Sequence, residues 1–240
     1  MVCAKVRIRF KKTGELRLIS HHDLMRCFER MLRRASLPYH STAGFNPKPR
    51  LVFAMPLSLG VVGLQEIAEL ELDEELTPEE IQARLTAQAP TGLDILSVHR
   101  IDPKITAHVR KAVYQVSVPP ESATGLPERI EQLLAAAESW IERDRPEKRR
   151  INLRPYLSDV RLFADRLEIE LLVTPNGTAR PEEILRLLGL GDLLAAGAIL
   201  ERSHLELEEE AETSGVASAP RVLCVSPTGG VDATPLGPAD

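Results

Sequence analysis

Aromatic residues fill only 4% of the 240 positions, and cysteine occurs three times, at Cys3, Cys27 and Cys224. Three widely spaced thiols build neither a disulfide framework nor a Cys-only zinc or iron–sulfur site within one chain. No apolar run approaches the ~18–20 residues of a membrane span, and the first residues show no signal-peptide hydrophobic stretch. Also missing are a phosphate-binding P-loop, a dinucleotide-binding glycine fingerprint, a nucleophile elbow and a zinc-protease His-Glu-x-x-His helix. His40, His99, His108 and His204 are scattered rather than set at metal-ligand spacing. These absences lead us to expect a cytoplasmic chain with no membrane contact and no cofactor, in which nothing announces an enzyme. With 43% apolar and 27% charged residues, the chain can bury a core of Leu, Val, Ile and Ala.

What is present is an uneven distribution of charge. The formal net charge of −5 conceals a first block, residues 1–50, with 12 Lys and Arg against 3 Asp and Glu. The next fifty residues hold 2 against 9. A net of +9 in the first block attracts polyanions, unless basic and acidic stretches face each other inside one unit.

Periodicity divides the chain into two similar element orders. Val6, Ile8 and Phe10 alternate with Lys5, Arg7, Arg9 and Lys11, a strand with one apolar and one basic face. Thr13-Gly14 offers a turn after which Leu16 and Leu18 resume the alternation, predicting an early hairpin. Ser20 and Asp23 form a capping-box signature before Leu24, Cys27, Phe28, Met31, Leu32 and Ala35 at helical spacing, closed by Pro38. Strands over 51–55 and 65–72, a helix from Thr77-Pro78 to Gln88 and a strand over 93–101 complete a β-α-β-β-α-β order, the ferredoxin-like arrangement. The order recurs as a strand over 113–118, a helix over 128–141, strands over 151–162 and 166–174, a helix over 181–190 and a strand over 198–209. We therefore expect an α+β fold of two tandem ferredoxin-like units with antiparallel sheets. The units occupy 1–103 and 113–211, with 102–112 as linker and 212–240 as a disordered tail lacking periodicity.

Candidate binding residues concentrate in the first unit. Arg26, Arg30 and Arg33, with Arg34 at the edge, lie opposite the apolar stripe of the first helix. They form a ladder about 10 Å long at 1.5 Å rise per residue, in the residue type that best matches phosphate. Such a ladder is either a phosphate-binding face or a solvated face paired with acids such as Glu69 and Glu71. The following loop, Gly44-Phe45-Asn46-Pro47-Lys48-Pro49-Arg50, is stiffened by prolines and presents Asn46, Lys48 and Arg50. Phe45 is expected to plug the core rather than stack on a base. His21 and Asp23, at the helix start, suit general acid–base chemistry or simply packing and capping. In the second half Lys148-Arg149-Arg150 leads into Asn152-Leu153-Arg154-Pro155-Tyr156. Arg154 is either buried against an acid of the first half or a second phosphate contact.

The stretch KTGELRLISHHDLMRCFERMLRRASLP, followed by STAGFNPKPRLVFAMPLSLG, resembles the radical-SAM-linked protein family, a domain of unknown function found alone or fused to B12-binding-type radical SAM proteins. The resemblance covers residues 4–103 and continues more weakly through INLRPY and TARPEEIL to about 205. Ser20, His21 and Asp23 match the family's S-H-L-D motif, with His22 in the Leu place, and Lys48 stands where the loop usually has His. The resemblance implies a separately encoded radical SAM enzyme as partner and supplies no activity. This chain lacks the three-cysteine cluster motif of such enzymes. Three functions follow as expectations: an accessory module presenting RNA, such as tRNA or rRNA, to the enzyme; a docking subunit without nucleic acid; or a metal-independent ribonuclease using His21.

Overall fold

The computed structural model describes residues 2–143 and 148–209; the expected tail lies outside them. Strand β1 (Ala4–Lys12) leads through a 3-10 turn (Gly14–Leu18) into α1 (His21–Arg34), then β2 (Leu51–Phe53), β3 (Val62–Leu72), α2 (Pro78–Thr86) and β4 (Leu93–Ile101). The second half runs β5 (Val109–Ser117), α3 (Pro120–Ala123), α4 (Leu126–Ala135), β6 (Trp140–Arg143) and β7 (Arg149–Asn152). A 3-10 turn (Arg154–Tyr156), β8 (Leu157–Phe163), β9 (Arg166–Leu172), α5 (Pro181–Leu187) and β10 (Glu201–Leu207) follow.

The molecule is mixed α+β, built on one large sheet rather than two. Its order is β4-β1-β3-β10-β5-β9-β8, with β2 also on β3, while β6 and β7 form a separate ribbon. Within each half every pairing is antiparallel. The halves join where β10 runs parallel to β3, Glu201 opposite Val62 and Arg202 opposite Gly63. The expectation of separate antiparallel sheets is thus corrected. The cause is the start of β3: Val62 and Gly63 lie beyond the span that β2 covers and leave an edge for β10.

Alternation explains the two cores. Val6, Ile8 and Phe10 pack with Leu24, Phe28, Met31 and Leu32 of α1 and with Ile81 and Leu85 of α2. Ala112, Tyr114 and Val116 pack with Leu126, Ile130, Ile184 and Leu185 of the second half, and this core also takes Leu57, Val61 and Ile67 from the first. Between the cores lies a buried ion pair. Arg202 (1% exposed) meets Glu66 (2% exposed), its Nε 2.8 Å from Oε1. It also donates to the carbonyls of Pro56 and Met55, at 3.1 and 3.0 Å, and reaches Tyr114. A Cβ at Gly63 would stand 2.5 Å from Glu66 Cγ, so only glycine leaves the carboxylate its place.

Three predicted elements change. The early hairpin is a 3-10 turn, because Gly14 takes φ +56° and Lys12 Nζ turns back to the Ile19 carbonyl at 3.0 Å. The helix expected to reach Ile141 stops at Ala135; Ala136 is extended, and Asn152 Oδ1 accepts the Ser139 N–H at 2.9 Å, setting up β6. The strand expected over 151–162 is broken at Arg154–Tyr156.

Candidate nucleic-acid interface

Two cations on the basic face of β1, Lys5 and Arg7, are taken up inside the protein. Glu69 stands directly across from Arg7 in the ladder. Its carboxylate takes Lys5 Nζ at 2.8 Å and Arg7 Nη2 at 2.9 Å, and all three side chains are buried. Lys5 also donates to the Ile105 carbonyl, and Arg7 reaches Glu209 at 3.3 Å. Part of the positive block is therefore internal, matched by the acidic block that follows it in sequence.

Because Glu69 is engaged there, it is not the partner of the helix arginines. Ser20 caps α1: its Oγ accepts the Asp23 N–H at 3.2 Å and donates to Asp23 Oδ2 at 2.7 Å. That hydroxyl contact, with Arg26 nearby, holds the Asp23 carboxyl below the usual carboxylate range. Arg26 lies 3.6 Å from Asp23, both exposed. Arg30 and Arg33 donate to their own helix's carbonyls at Arg26 and Glu29, and Arg34 donates to Gln88 O, all at 3.3 Å. These four guanidiniums remain at the surface.

The loop after α1 is a two-stranded arm. At its base Tyr39 bridges Leu72, the His40 N–H donates to Glu71 O, and the Arg50 N–H donates to His40 O, both at 2.8 Å. His40 Nδ1 lies 2.6 Å from Asp73. Higher up, Ser41 bridges Pro49 and the Thr42 N–H donates to Lys48 O at 2.8 Å, while Thr42 Oγ1 accepts the Lys48 N–H at 3.1 Å. Gly44 takes φ +132° at the tip. Phe45 is fully exposed there, beside exposed Asn46 and Lys48, which corrects the expectation that it plugs the core. The first core already has its aromatic cluster: Phe10, Phe28 and Phe53 meet edge to face at 5.0–5.8 Å. Arg50 reaches Glu71 at 3.5 Å and stays half exposed.

His21 sits apart from these cations. Its ring packs edge-on against Phe53 at 5.3 Å, and its Nδ1 is buried without a hydrogen-bond partner. Burial, then the positive charges of His22, Lys12 and Arg202, push its pKa down. With Asp23 turned to Ser20, the two do not form an acid–base pair. A histidine held neutral when folded takes up a proton on unfolding. Stability is therefore complete above the unfolded pKa of about 6.5 and falls as pH drops below it toward the depressed folded value. Melting temperatures measured from pH 7.5 to 5 should fall more steeply for the wild type than for His21→Gln. Parallel curves would mean that His21 does not contribute.

Arg154 turns inward within its own half, donating to the carbonyls of Leu157 at 2.8 Å and Leu134 at 3.0 Å. It pins the 3-10 turn against α4, in place of the expected acid of the first half.

The model of the family described as "Uncharacterized protein conserved in bacteria (DUF2344)" matches residues 5–184, from β1 into α5. The chain belongs to the DUF2344 family. No curated protein matches it. A solved structure described as "Crystal Structure of an Unknown Protein from Galdieria sulphuraria" is similar at 15% identity. That match covers 85% of this chain and 98% of that one, with a TM-score of 0.25. Among the described residues of this DUF2344 chain, no helix is long and apolar enough to cross a membrane.

A second basic region, around the β6–β7 ribbon, escaped the sequence reading in part. Trp140 is half exposed, with the Arg150 guanidinium 5.3 Å from its ring centre. Arg143 makes a two-pronged contact with Glu183 at 2.6 and 2.7 Å and donates to Thr178 O at 3.1 Å. That carboxylate holds the guanidinium's pKa above its ordinary value. The available signal was the spacing of Trp140 and Arg143 ahead of the Lys148-Arg149-Arg150 run, hidden by reading the segment as helix.

Proposed function

We propose that this DUF2344 chain is a non-catalytic cytoplasmic RNA-binding module, using the α1 arginines and the stiff arm to hold a single strand. The observation that carries the reading is Phe45, set clear of the protein on an arm whose backbone is pinned at both levels and flanked by Asn46, Lys48 and Arg50. Isolated exposed apolar residues are common. A phenylalanine held out on a rigid basic ribbon is suited to stacking on an unpaired base, with cations engaging the flanking phosphates. The arm rises from the chain five residues after Arg34, with its base at Tyr39 bridged to Leu72 at the end of β3.

We read the two strand orders, β4-β1-β3-β2 and β10-β5-β9-β8, as two ferredoxin-like units sharing one sheet. The sheet surface itself is a poor platform for bases. In the second half it carries Lys111 between Glu170 and Glu206, Arg110 on Glu206 and Arg161 on Asp159. The motif resemblance supports a separately encoded radical SAM enzyme as the protein that receives the RNA.

Binding of a fluorescent unstructured RNA to the whole chain at about 50 mM salt, where phosphate contacts are strong, tests the reading. Phe45→Ala should weaken binding by about fivefold to a hundredfold, the worth of one base stack at ~1–3 kcal/mol, without lowering the melting temperature. No RNA binding at micromolar protein, with a radical SAM enzyme still captured, would replace the RNA reading with the docking one.

A further inference from the structure

We propose that the chain forms a symmetric dimer by pairing the outer edge of β8 with the same edge of a second copy. The surface belongs to the second half and uses neither the arm nor α1, so it goes beyond the RNA reading.

The two ends of the large sheet differ. At the β4 end the Gln82 side chain donates to the carbonyls of Leu96 at 3.1 Å and Ile95 at 3.4 Å. The register also shifts there, with Arg9 opposite Ser97 and Phe10 opposite Ile95. A covered, bulged edge resists further pairing. At the other end, among the described residues no strand pairs with the outer side of β8. In an antiparallel ladder successive residues turn their backbone groups to opposite sides. Ile169, opposite Val160, turns toward β5, counted by twos from the Val173 N–H on the Arg110 carbonyl at 2.8 Å. Val160, and by alternation Leu162, therefore turn outward. The Val160 N–H meets only the side chain of the preceding residue, Asp159 Oδ1 at 2.8 Å.

Charge selects the partner and the register. Two identical antiparallel strands make an isologous contact, in which each copy offers the other the same residues. Centred on Val160, the pair sets Asp159 of each copy opposite Arg161 of the other. Centred on Arg161, it would oppose two arginines, and like charges directly opposite destabilise a ladder. Within one copy Arg161 Nη2 lies 2.5 Å from Asp159 Oδ2, with the arginine side chain half exposed. In the dimer the Val160 N–H donates to the Val160 carbonyl of the second copy, which frees Asp159 Oδ1 for that copy's Arg161. The four side chains then alternate in sign along the seam.

Apolar surface follows the same seam. α4 packs on β8, and an apolar groove of about 560 Å³ is lined by Pro127, Ile130 and Leu134 of α4 and by Leu162 of β8. Paired strands lie about 4.8 Å apart, so the two α4 helices and their grooves come to either side of the twofold axis, where each shields the other from water.

Sedimentation equilibrium of the whole chain, freed of nucleic acid and kept reduced, tests the proposal. The mass should rise to twice that of one chain over about 1–300 µM, the span of weak specific association. Arg161→Glu sets a carboxylate opposite Asp159, and Asp159→Arg sets a guanidinium opposite Arg161, each twice per dimer. Each variant should self-associate about tenfold or more weakly, with a melting temperature near the wild type's because both side chains stand at the surface. Mixing the two variants restores both opposite-charge pairs, so the mixture should associate as the wild type does although neither variant does alone. The exchange variant Asp159→Arg with Arg161→Asp should also dimerise. The quadruple variant Arg26→Ala, Arg30→Ala, Arg33→Ala, Arg50→Ala should dimerise as the wild type does, which separates this surface from the RNA face. A chain that stays monomeric to about 300 µM, well into the weak range, overturns the proposal. So does a mixture no tighter than its components, or loss of the dimer in the quadruple variant, which would trace association to the RNA face.

Discussion

Glu66→Ala is expected to destabilise the protein by about 3–5 kcal/mol, the usual cost of stranding one partner of a buried ion pair. The Arg202 guanidinium is nearly inaccessible, and two of its other contacts, the carbonyls of Met55 and Pro56, carry no full charge. Without Glu66 a buried cation faces Lys12, which is also buried and whose own pKa is already lowered by burial and by Arg202. A domain of this size loses about 2–4 °C of melting temperature per kcal/mol, so the midpoint should drop by roughly 6–20 °C. The double variant Glu66→Leu with Arg202→Met should recover much of the loss, because apolar side chains of similar volume often replace a buried pair at little cost. Chemical denaturation of Glu66→Leu, of Arg202→Met and of the double variant measures the coupling directly. Additive losses would mean that Glu66 and Arg202 do not act as a pair.

That pair also shows where sequence reading stops. Arg202 stands near the start of β10 and Glu66 in the middle of β3, each as a charged residue at a buried position of its strand. Nothing in their spacing of 136 positions says that they meet. Their contact is created by the parallel junction of β3 with β10, and a parallel junction between two distant edges leaves no local pattern. The elements that did read true are those set by short-range physics. The Ser20 cap with the α1 stripe, the Thr77-Pro78 start of α2 and the alternation of β1 all follow from contacts within a few residues. The candidate site divides in the same way. The arginines of α1 were legible because a helical stripe defines its own opposite face. Which of the two readings of the basic block holds for Lys5 and Arg7 was not legible, because their fate depends on Glu69, 62 residues beyond Arg7. Phe45 was misread for a related reason: whether an aromatic plugs a core depends on whether the core is already full, and Phe10, Phe28 and Phe53 fill it.

The quadruple variant Arg26→Ala, Arg30→Ala, Arg33→Ala, Arg50→Ala should lose RNA affinity by several orders of magnitude at low salt while keeping its fold. Arg26, Arg30 and Arg33 project from the face of α1 opposite the buried Leu24, Phe28, Met31 and Leu32, so shortening them uncovers no core. The pairs that are lost, Arg26 with Asp23 and Arg50 with Glu71, are exposed and long, and such pairs contribute at most about 1 kcal/mol. Four phosphate contacts on a single strand give a slope of log affinity against log salt near −3, from about 0.7 per phosphate. The wild type should show at least that slope, and the variant should flatten it by about 3 as its affinity falls. Because phosphates carry no sequence information, affinities for different RNA sequences should fall together. Phe45→Ala separates the two kinds of contact: it should weaken binding with the salt slope intact, since a stacked ring releases no counterion. A wild-type slope near zero, or a Phe45→Ala variant whose slope flattens as the arginine variant's does, would show that the arm and the ladder do not divide the work between base and backbone.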